Sequence, residues 1–276
     1  LVQKQLGGGL QTVDYEYNVR GWLKQINDPS SLGSDLFAFG INYNDPQHGA
    51  AQLFNGNISE TEWKTANSDN SLKHYRYSYD ALNRITSAID NTGKYNLTDV
   101  TYDKMGNLET LKRLGWTSAS PSLTNNTGLG TMDDLTYQYA NGGNQLTNVA
   151  DNNASDTYGF KDVNGSGTEY TYDANGNMTS DANKGITGIT YNHLNLPTLI
   201  NVNTDNIQYI YDATGGKQQK IVSTGATTDY AGNYVYENNA LQFLSHTEGY
   251  ISPDGSGGYD YVYQYKDHLG NVRLSY

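Results

Sequence analysis

No cysteine occurs anywhere in the 276-residue chain, which excludes disulfides and thiolate metal sites alike. Charge is also scarce: only 17% of residues are charged, and Asp plus Glu outnumber Lys plus Arg by 29 to 17 for a formal net charge of −12. Phosphate binding depends on clustered Lys and Arg, so no nucleic-acid partner is expected. Long hydrophobic runs are missing too. No segment approaches membrane-spanning length and no signal peptide opens the chain, so no membrane insertion is expected. Phosphate loops, dinucleotide fingerprints and the G-x-S-x-G nucleophile elbow are all absent, and no cofactor is expected. Leu1 stands where an initiator Met would. The sequence therefore reads as a segment of something longer, and its start carries no information about export.

What the chain does have is 25 Tyr and 30 Gly, with many Asn, Thr and Ser. That is a strand-and-turn alphabet, poor in helix formers and too aromatic to be disordered. Tyr170–Ser180 shows how it is used. Tyr170 and Tyr172 alternate with Thr171, so both rings leave one face of an extended strand. Asp173 then opens a turn at Asn175-Gly176, a pair that predicts a type I′ hairpin with φ > 0 at both residues. The chain returns through Met178. Such a hairpin has an aromatic face and nothing of its own to pack it against. A thin wall with rings lying flat, their hydroxyls near water or Asn and Thr side chains, would meet both demands of tyrosine.

The pattern recurs. Tyr79-Asp80 leads to Asn83-Arg84, Tyr102-Asp103 to Gly106-Asn107, Tyr191-Asn192 to Asn195-Leu196, Tyr211-Asp212 to Gly215-Gly216, and Tyr265-Lys266-Asp267 to Gly270-Asn271. Tyr172, Tyr191 and Tyr211 lie about twenty residues apart, a spacing typical of repeat architectures. The expected fold is all-β, built of repeated β-hairpins. Residues 1–70 hold divergent repeats, with a strand over Phe37–Tyr43 and a hairpin from Leu53 to Trp63 around Asn55-Gly56-Asn57. Residues 71–262 hold regular units with polar loop insertions near 115–131 and 150–168. Ala240–Leu244 reads as a strand.

Chemistry-bearing candidates are few. Trp22, Trp63 and Trp116 would suit a sugar-stacking platform, but core packing is the reading taken for large aromatics. Asp173–Asn177 begins like a calcium loop yet has Met178 where the glycine belongs and Lys184 where the bidentate Glu belongs. His48, His74, His193, His246 and His268 show no metal-ligand spacing. His268 beside Asp267 suggests a dyad, but neighbours on a strand point to opposite faces, so it reads as a turn or packing residue. The sequons at Asn57 and Asn96 are expected by chance in such a composition. No catalytic or metal-binding residue emerges.

The stretches Tyr79-Asp80-Ala81-Leu82-Asn83-Arg84-Ile85, Tyr102-Asp103-Lys104-Met105-Gly106-Asn107-Leu108 and Tyr172-Asp173-Ala174-Asn175-Gly176-Asn177-Met178 resemble YD repeats. These belong to the Rhs (rearrangement hotspot) family, shared with Tc-toxin C components and teneurins. Residues 263–276, with Asp267-His268-Leu269-Gly270-Asn271-Val272-Arg273, resemble the start of the Rhs-associated core region and its D-H-L-G-N/S-x-R signature. The resemblance is good over residues 70–276 and loose before them. It implies a continuous antiparallel sheet spiralling into a hollow β-shell that encloses a C-terminal toxin, or in teneurins belongs to an adhesion receptor. It implies a secreted or cell-surface location. The implied partners are a C-terminal toxin passenger or flanking shell of the same parent chain, and secretion-apparatus or cell-surface components. The family's autoproteolytic acids follow the signature, so no catalytic residue carries over. Tyr79, Asp80, Tyr102, Asp103, Gly106, Tyr172, Asp173, Gly176, Tyr211, Asp212, Asp267, His268, Gly270 and Arg273 carry over as structural repeat positions.

Overall fold

A computed structural model describes residues 2–67, 69–140, 143–153, 157–163 and 167–276. Strands dominate it, joined by turns and loops, with a 3-10 turn at Ala182–Lys184. Eleven strands follow one another in a first sheet. They are β1 (Gln3–Leu6), β2 (Gln11–Tyr17), β3 (Leu23–Ile26), β4 (Phe37–Asn42), β5 (Glu60–Thr65), β6 (Lys73–Tyr79), β7 (Ile85–Asp90), β8 (Leu97–Tyr102), β9 (Leu108–Trp116), β10 (Leu129–Tyr139) and β11 (Leu146–Asp151). A second sheet holds twelve. It runs through β12 (Tyr170–Tyr172), β13 (Met178–Asp181), β14 (Ile186–Tyr191), β15 (Pro197–Val202), β16 (Asp205–Tyr211), β17 (Lys217–Val222) and β18 (Thr227–Ala231), then β19 (Tyr234–Glu237), β20 (Ala240–His246), β21 (Gly249–Pro253), β22 (Tyr259–Lys266) and β23 (Val272–Ser275). Strand order equals chain order in both, and neither sheet closes on itself.

The expected single continuous sheet is therefore interrupted between β11 and β12. Glu169 shows how. Its N–H donates to the Thr147 carbonyl at 2.8 Å, but the next ladder acceptor is its own side chain: Oε2 takes the Val149 N–H at 3.0 Å. A carboxylate in place of a backbone carbonyl ends the ladder there.

The backbone packs as two compact units. Unit 1 comprises Leu1–Asp99, His246–Tyr250 and Tyr261–Tyr276. Its core joins Leu6, Val13, Ile26, Phe37, Phe39 and Ile41 to Tyr265 from the end of the chain. All six residues of β4 are buried, although their alternation predicts one wet face. The hairpin of β22 and β23 covers the Phe37 and Phe39 side. On the other face the Glu62 side chain lies where a Cβ on Gly40 would sit, and Asn42 contacts Glu60. The hairpin expected at Leu53–Trp63 is not formed. Only β5 is strand there, and the residues before it follow β4 through single bonds such as Leu53 N–H to Tyr43 O at 3.0 Å.

Unit 2 comprises Val100–Ser245 and Ile251–Asp260. Its buried residues cluster around Leu135, Val149 and Tyr170. The loop expected at 115–131 is shorter than its Ser- and Asn-rich composition implies. Trp116 pairs with Leu129, Gly115 with Gly130 and Leu114 with Thr131, so strand continues into both ends. The loop reading of 154–156 and 164–166 lies outside the described residues. From Ile186 to Ser245, Thr228 alone is buried. This part of the wall is one layer thick.

Candidate functional site

The repeating turn is the best-defined constellation in the molecule. Among the described residues, turns beginning at Asn18, Asp80, Asp103, Asp173, Asn192, Asp212, Asp254 and Asp267 share one geometry. The backbone N–H of that first residue donates to the carbonyl four residues on, at 2.9–3.1 Å. Its Oδ1 accepts the N–H groups of the second and fourth residues that follow, at 2.8–3.0 Å. One side-chain oxygen thus organises two donors, the mechanism that makes Asp and Asn strong turn formers. Only a carbonyl-type oxygen is needed, which is why Asn18 and Asn192 serve as well as aspartate.

The third residue after the turn opener takes φ > 0. It is Gly176 at +84°, Gly106 at +92°, Gly215 at +89° and Gly270 at +82°, with Asn83 at +63° and Asn195 at +57°. Neither Ala174 nor Asn175 has positive φ. The predicted type I′ turn is therefore replaced by a type I turn closed by a left-handed residue with a bulge, the three-residue hairpin solution. The register shifts fall at the strand's last residue: Tyr79, Tyr172, Tyr191, Tyr211 and Lys266. The Oδ1 bonds account for the difference, because they draw both flanking N–H groups to one side.

The second carboxylate oxygen is also used. Asn107 Nδ2 reaches Asp103 Oδ2 at 2.8 Å, Asn177 Nδ2 reaches Asp173 at 2.9 Å, and Arg84 Nε reaches Asp80 at 2.7 Å. With both oxygens held by donors, the Asp173 turn has no calcium-loop character. Its carboxyl sits below the usual range, first through the Asn177 amide and then through backbone N–H groups.

The tyrosines ahead of four of these turns bond back to earlier strands or turns. Tyr79 O–H donates to Ile58 O at 2.8 Å, Tyr172 to Leu146 O at 3.0 Å, Tyr191 to Met178 O at 2.6 Å and Tyr211 to Pro197 O at 3.0 Å. Met178 and Pro197 each lie just after the preceding turn, those opened by Asp173 and Asn192. These four hydroxyls find backbone carbonyls, while Tyr77 Oη meets Thr61 Oγ1 at 2.8 Å and Tyr170 Oη accepts from Asn183 Nδ2 at 3.3 Å, the Thr and Asn side chains expected. Burial drives the Tyr79 hydroxyl up to about 12.

The signature hairpin adds contacts specific to its place in unit 1. Asp267 Oδ1 receives Leu269 and Asn271 N–H, while Oδ2 receives Asn271 Nδ2 at 3.2 Å and pairs with Arg273 Nη1 at 3.5 Å. Burial works to raise the Asp267 carboxyl, but these donors and Arg273 outweigh it and hold it low. The Arg273 guanidinium lies 5.0 Å from the Trp63 ring and His268 stacks on Phe39 at 5.7 Å. Tyr265 packs on Phe37 and hydrogen-bonds Gln11 Oε1 at 2.9 Å. His268 is a packing residue, its charged form disfavoured by burial. Lys4 and Glu248 close the same side of unit 1 with an ion pair at 2.5 Å. Sequence reasoning missed Gln11, Lys4 and Glu248, because partners more than two hundred residues apart leave no local signal.

The tryptophans divide. Trp63 packs at the unit 1 core, Trp22 lies against Tyr43 with Arg20 over it, and Trp116 is 47% exposed. Among the described residues no group of three or more His, Asp or Glu side chains is arranged to hold a metal ion. No helix among them is long and apolar enough to cross a membrane.

These features define a class: an antiparallel all-β repeat protein whose unit is a tyrosine-ended strand, an Asx-braced turn and a return strand. No protein-family model and no curated protein matches the sequence. Solved structures do share the fold. The crystal structure of TcdB2-TccC3-TEV matches 95% of this chain with a TM-score of 0.58 at 15% identity. TcdB2-TccC3 without its hypervariable C-terminal region matches 96% at 0.57 and 14% identity, and TcdB2-TccC3-Cdc42 matches 99% at 0.54 and 14% identity. The chain spans 15% of the length of each of those proteins. Identities this low speak for the fold alone.

Proposed function

We propose that this chain is a non-enzymatic wall segment of the β-shell of a secreted Rhs-type polymorphic toxin, enclosing or presenting a C-terminal passenger. The observation that carries this reading is the one-layer sheet of residues 186–245, in which Thr228 alone is buried. Tyr191 and Tyr211 tie their hairpins to the backbone of the preceding ones, so these hairpins are held together without a second layer. Such a sheet suits a wall with solvent on one side and a lumen on the other. The YD-repeat resemblance and the fold shared with TcdB2-TccC3, a protein with a hypervariable C-terminal region, support the same reading. Passenger and flanking shell are then the partners, and the wall itself performs no chemistry.

Limited proteolysis of the full reading frame containing these residues tests this. The proposal predicts that the frame's C-terminal segment resists protease under native conditions and is cut rapidly when expressed alone. Equal cleavage rates in the two settings would overturn it. A second reading, a cell-surface adhesion or carbohydrate-binding module, is favoured by the half-exposed Trp116. It predicts glycan retention that Trp116→Ala abolishes without unfolding the chain.

A further inference from the structure

We propose that the loop from Asp45 to Ala50 is an acid-released strap on unit 1, sensed by His74, whose ring is stacked on that of His48. Two side chains hold the loop to the sheet. Glu60, fully buried at the start of β5, accepts the N–H of Gln47 at 2.6 Å, of His48 at 2.9 Å and of Ala50 at 2.9 Å, together with Asn42 Nδ2 at 3.3 Å. Beside it the His48 ring lies parallel to the His74 ring, 3.8 Å between centroids and 3° between planes. Nε2 of His48 meets Glu62 Oε2 at 2.6 Å. Glu62 and His74 are cross-strand partners on β5 and β6, so the sheet register places carboxylate and imidazole under one loop residue.

The charges around His74 decide the direction. His48 faces it from the loop, Glu60 and Glu62 from β5, and Arg76 from its own strand. Asp90 of β7 pairs one position along, opposite Tyr75, and Asn91 bonds the His74 backbone. At the other end of the loop, Asp45 is paired with Lys24 at 2.6 Å. Glu62 Oε2 is taken up by His48 Nε2. A charge on His74 would lie face to face with the His48 ring. Burial, then His48, hold His74 below the ordinary histidine range, against the pull of Glu60 and Glu62. Burial works to raise Glu60 as well, but the N–H groups of Ala50, Gln47 and His48 outweigh it and keep that carboxyl low.

A histidine held low in the closed state takes up its proton on opening. Closure is therefore fully stable above about pH 6.5, the unperturbed value, and weakens as pH falls below it. Glu60, held low, keeps its grip down through the ordinary carboxylate range near pH 4. Between those limits His74 supplies the pH dependence and Glu60 the restoring force.

Hydrogen exchange across residues 45–52, corrected for the intrinsic rate at each pH, measures the opening, because the Gln47, His48 and Ala50 amides are the ones Glu60 protects. Protection is expected to fall by up to about tenfold per pH unit below pH 6.5, the slope for one proton. His74→Gln is expected to flatten that slope with an unchanged circular dichroism spectrum. Constant protection in the wild type, or the same slope in His74→Gln, would overturn the proposal. So would an NMR titration of the wild-type His74 ring with a midpoint at or above 6.5, a measurement that stands even where the variant fails to fold.

Discussion

At Asp173 a single oxygen receives two backbone N–H groups, and three residues later Gly176 must take φ of +84°. The same backbone position is filled by Asn83 and Asn195 in sister turns. Gly176→Asn is therefore expected to keep near wild-type stability, whereas Gly176→Val is expected to lose about 1–2 kcal/mol in denaturant unfolding, the cost of a left-handed conformation for an ordinary residue. Tyr211→Phe removes the donor to Pro197 O and should cost about 1 kcal/mol, with strand content by circular dichroism unchanged. The turn carboxyls also fix an acid limb. Asp80, Asp173, Asp212 and Asp254 are all held below their ordinary range, led in turn by the Arg84 N–H, the Asn177 amide, the Thr214 hydroxyl and the Ser256 N–H. A carboxyl depressed by folding adds stability that is full above the unfolded value near pH 4 and is lost as pH falls through the folded values. Thermal melts should be flat on this account from neutrality to about pH 4 and fall steeply below. A melt insensitive to pH between 4 and 2 would contradict it.

At the scale of the element, the hairpin was the part most legible in sequence. Tyr-x-Tyr-Asp followed by Gly or Asn placed β12 with β13 and β16 with β17, and the alternation of Phe37–Tyr43 placed β4. The turn type was misread because the Asn-Gly pair signals I′ by itself, while the Asp two residues earlier redirects it through its Oδ1 bonds. The extra strand at Gly115, Trp116 and Leu129–Thr131 was hidden because Ser- and Asn-rich composition signals a loop, whereas pairing with a long neighbour extends a strand regardless. Glu60 and Glu169 were invisible: a buried carboxylate that replaces backbone acceptors looks like any other acid in a polar sequence. Glu169→Ala should leave the Val149 N–H unpaired in the unit 2 core and cost about 1–3 kcal/mol in chemical denaturation. Tyr265, 3% exposed on Phe37, anchors the signature hairpin. Tyr265→Ala should cost about 3–5 kcal/mol and raise exchange across residues 259–276.

On the scale of the whole molecule, both sheets add strands in chain order and leave edges open. Stability in such an array sums over neighbouring units, so a strand at a free edge is the natural place for more chain to pair. The Tyr191 and Tyr211 bonds make those two hairpins' fold depend on the hairpin before. The container reading requires more than a wall, namely an enclosed volume with something in it. Electron cryomicroscopy of the full reading frame that carries these residues measures that directly. The account predicts a closed β-shell with density inside it that continues from the chain beyond Tyr276. An open sheet, or a C-terminal domain standing outside the wall, would contradict it.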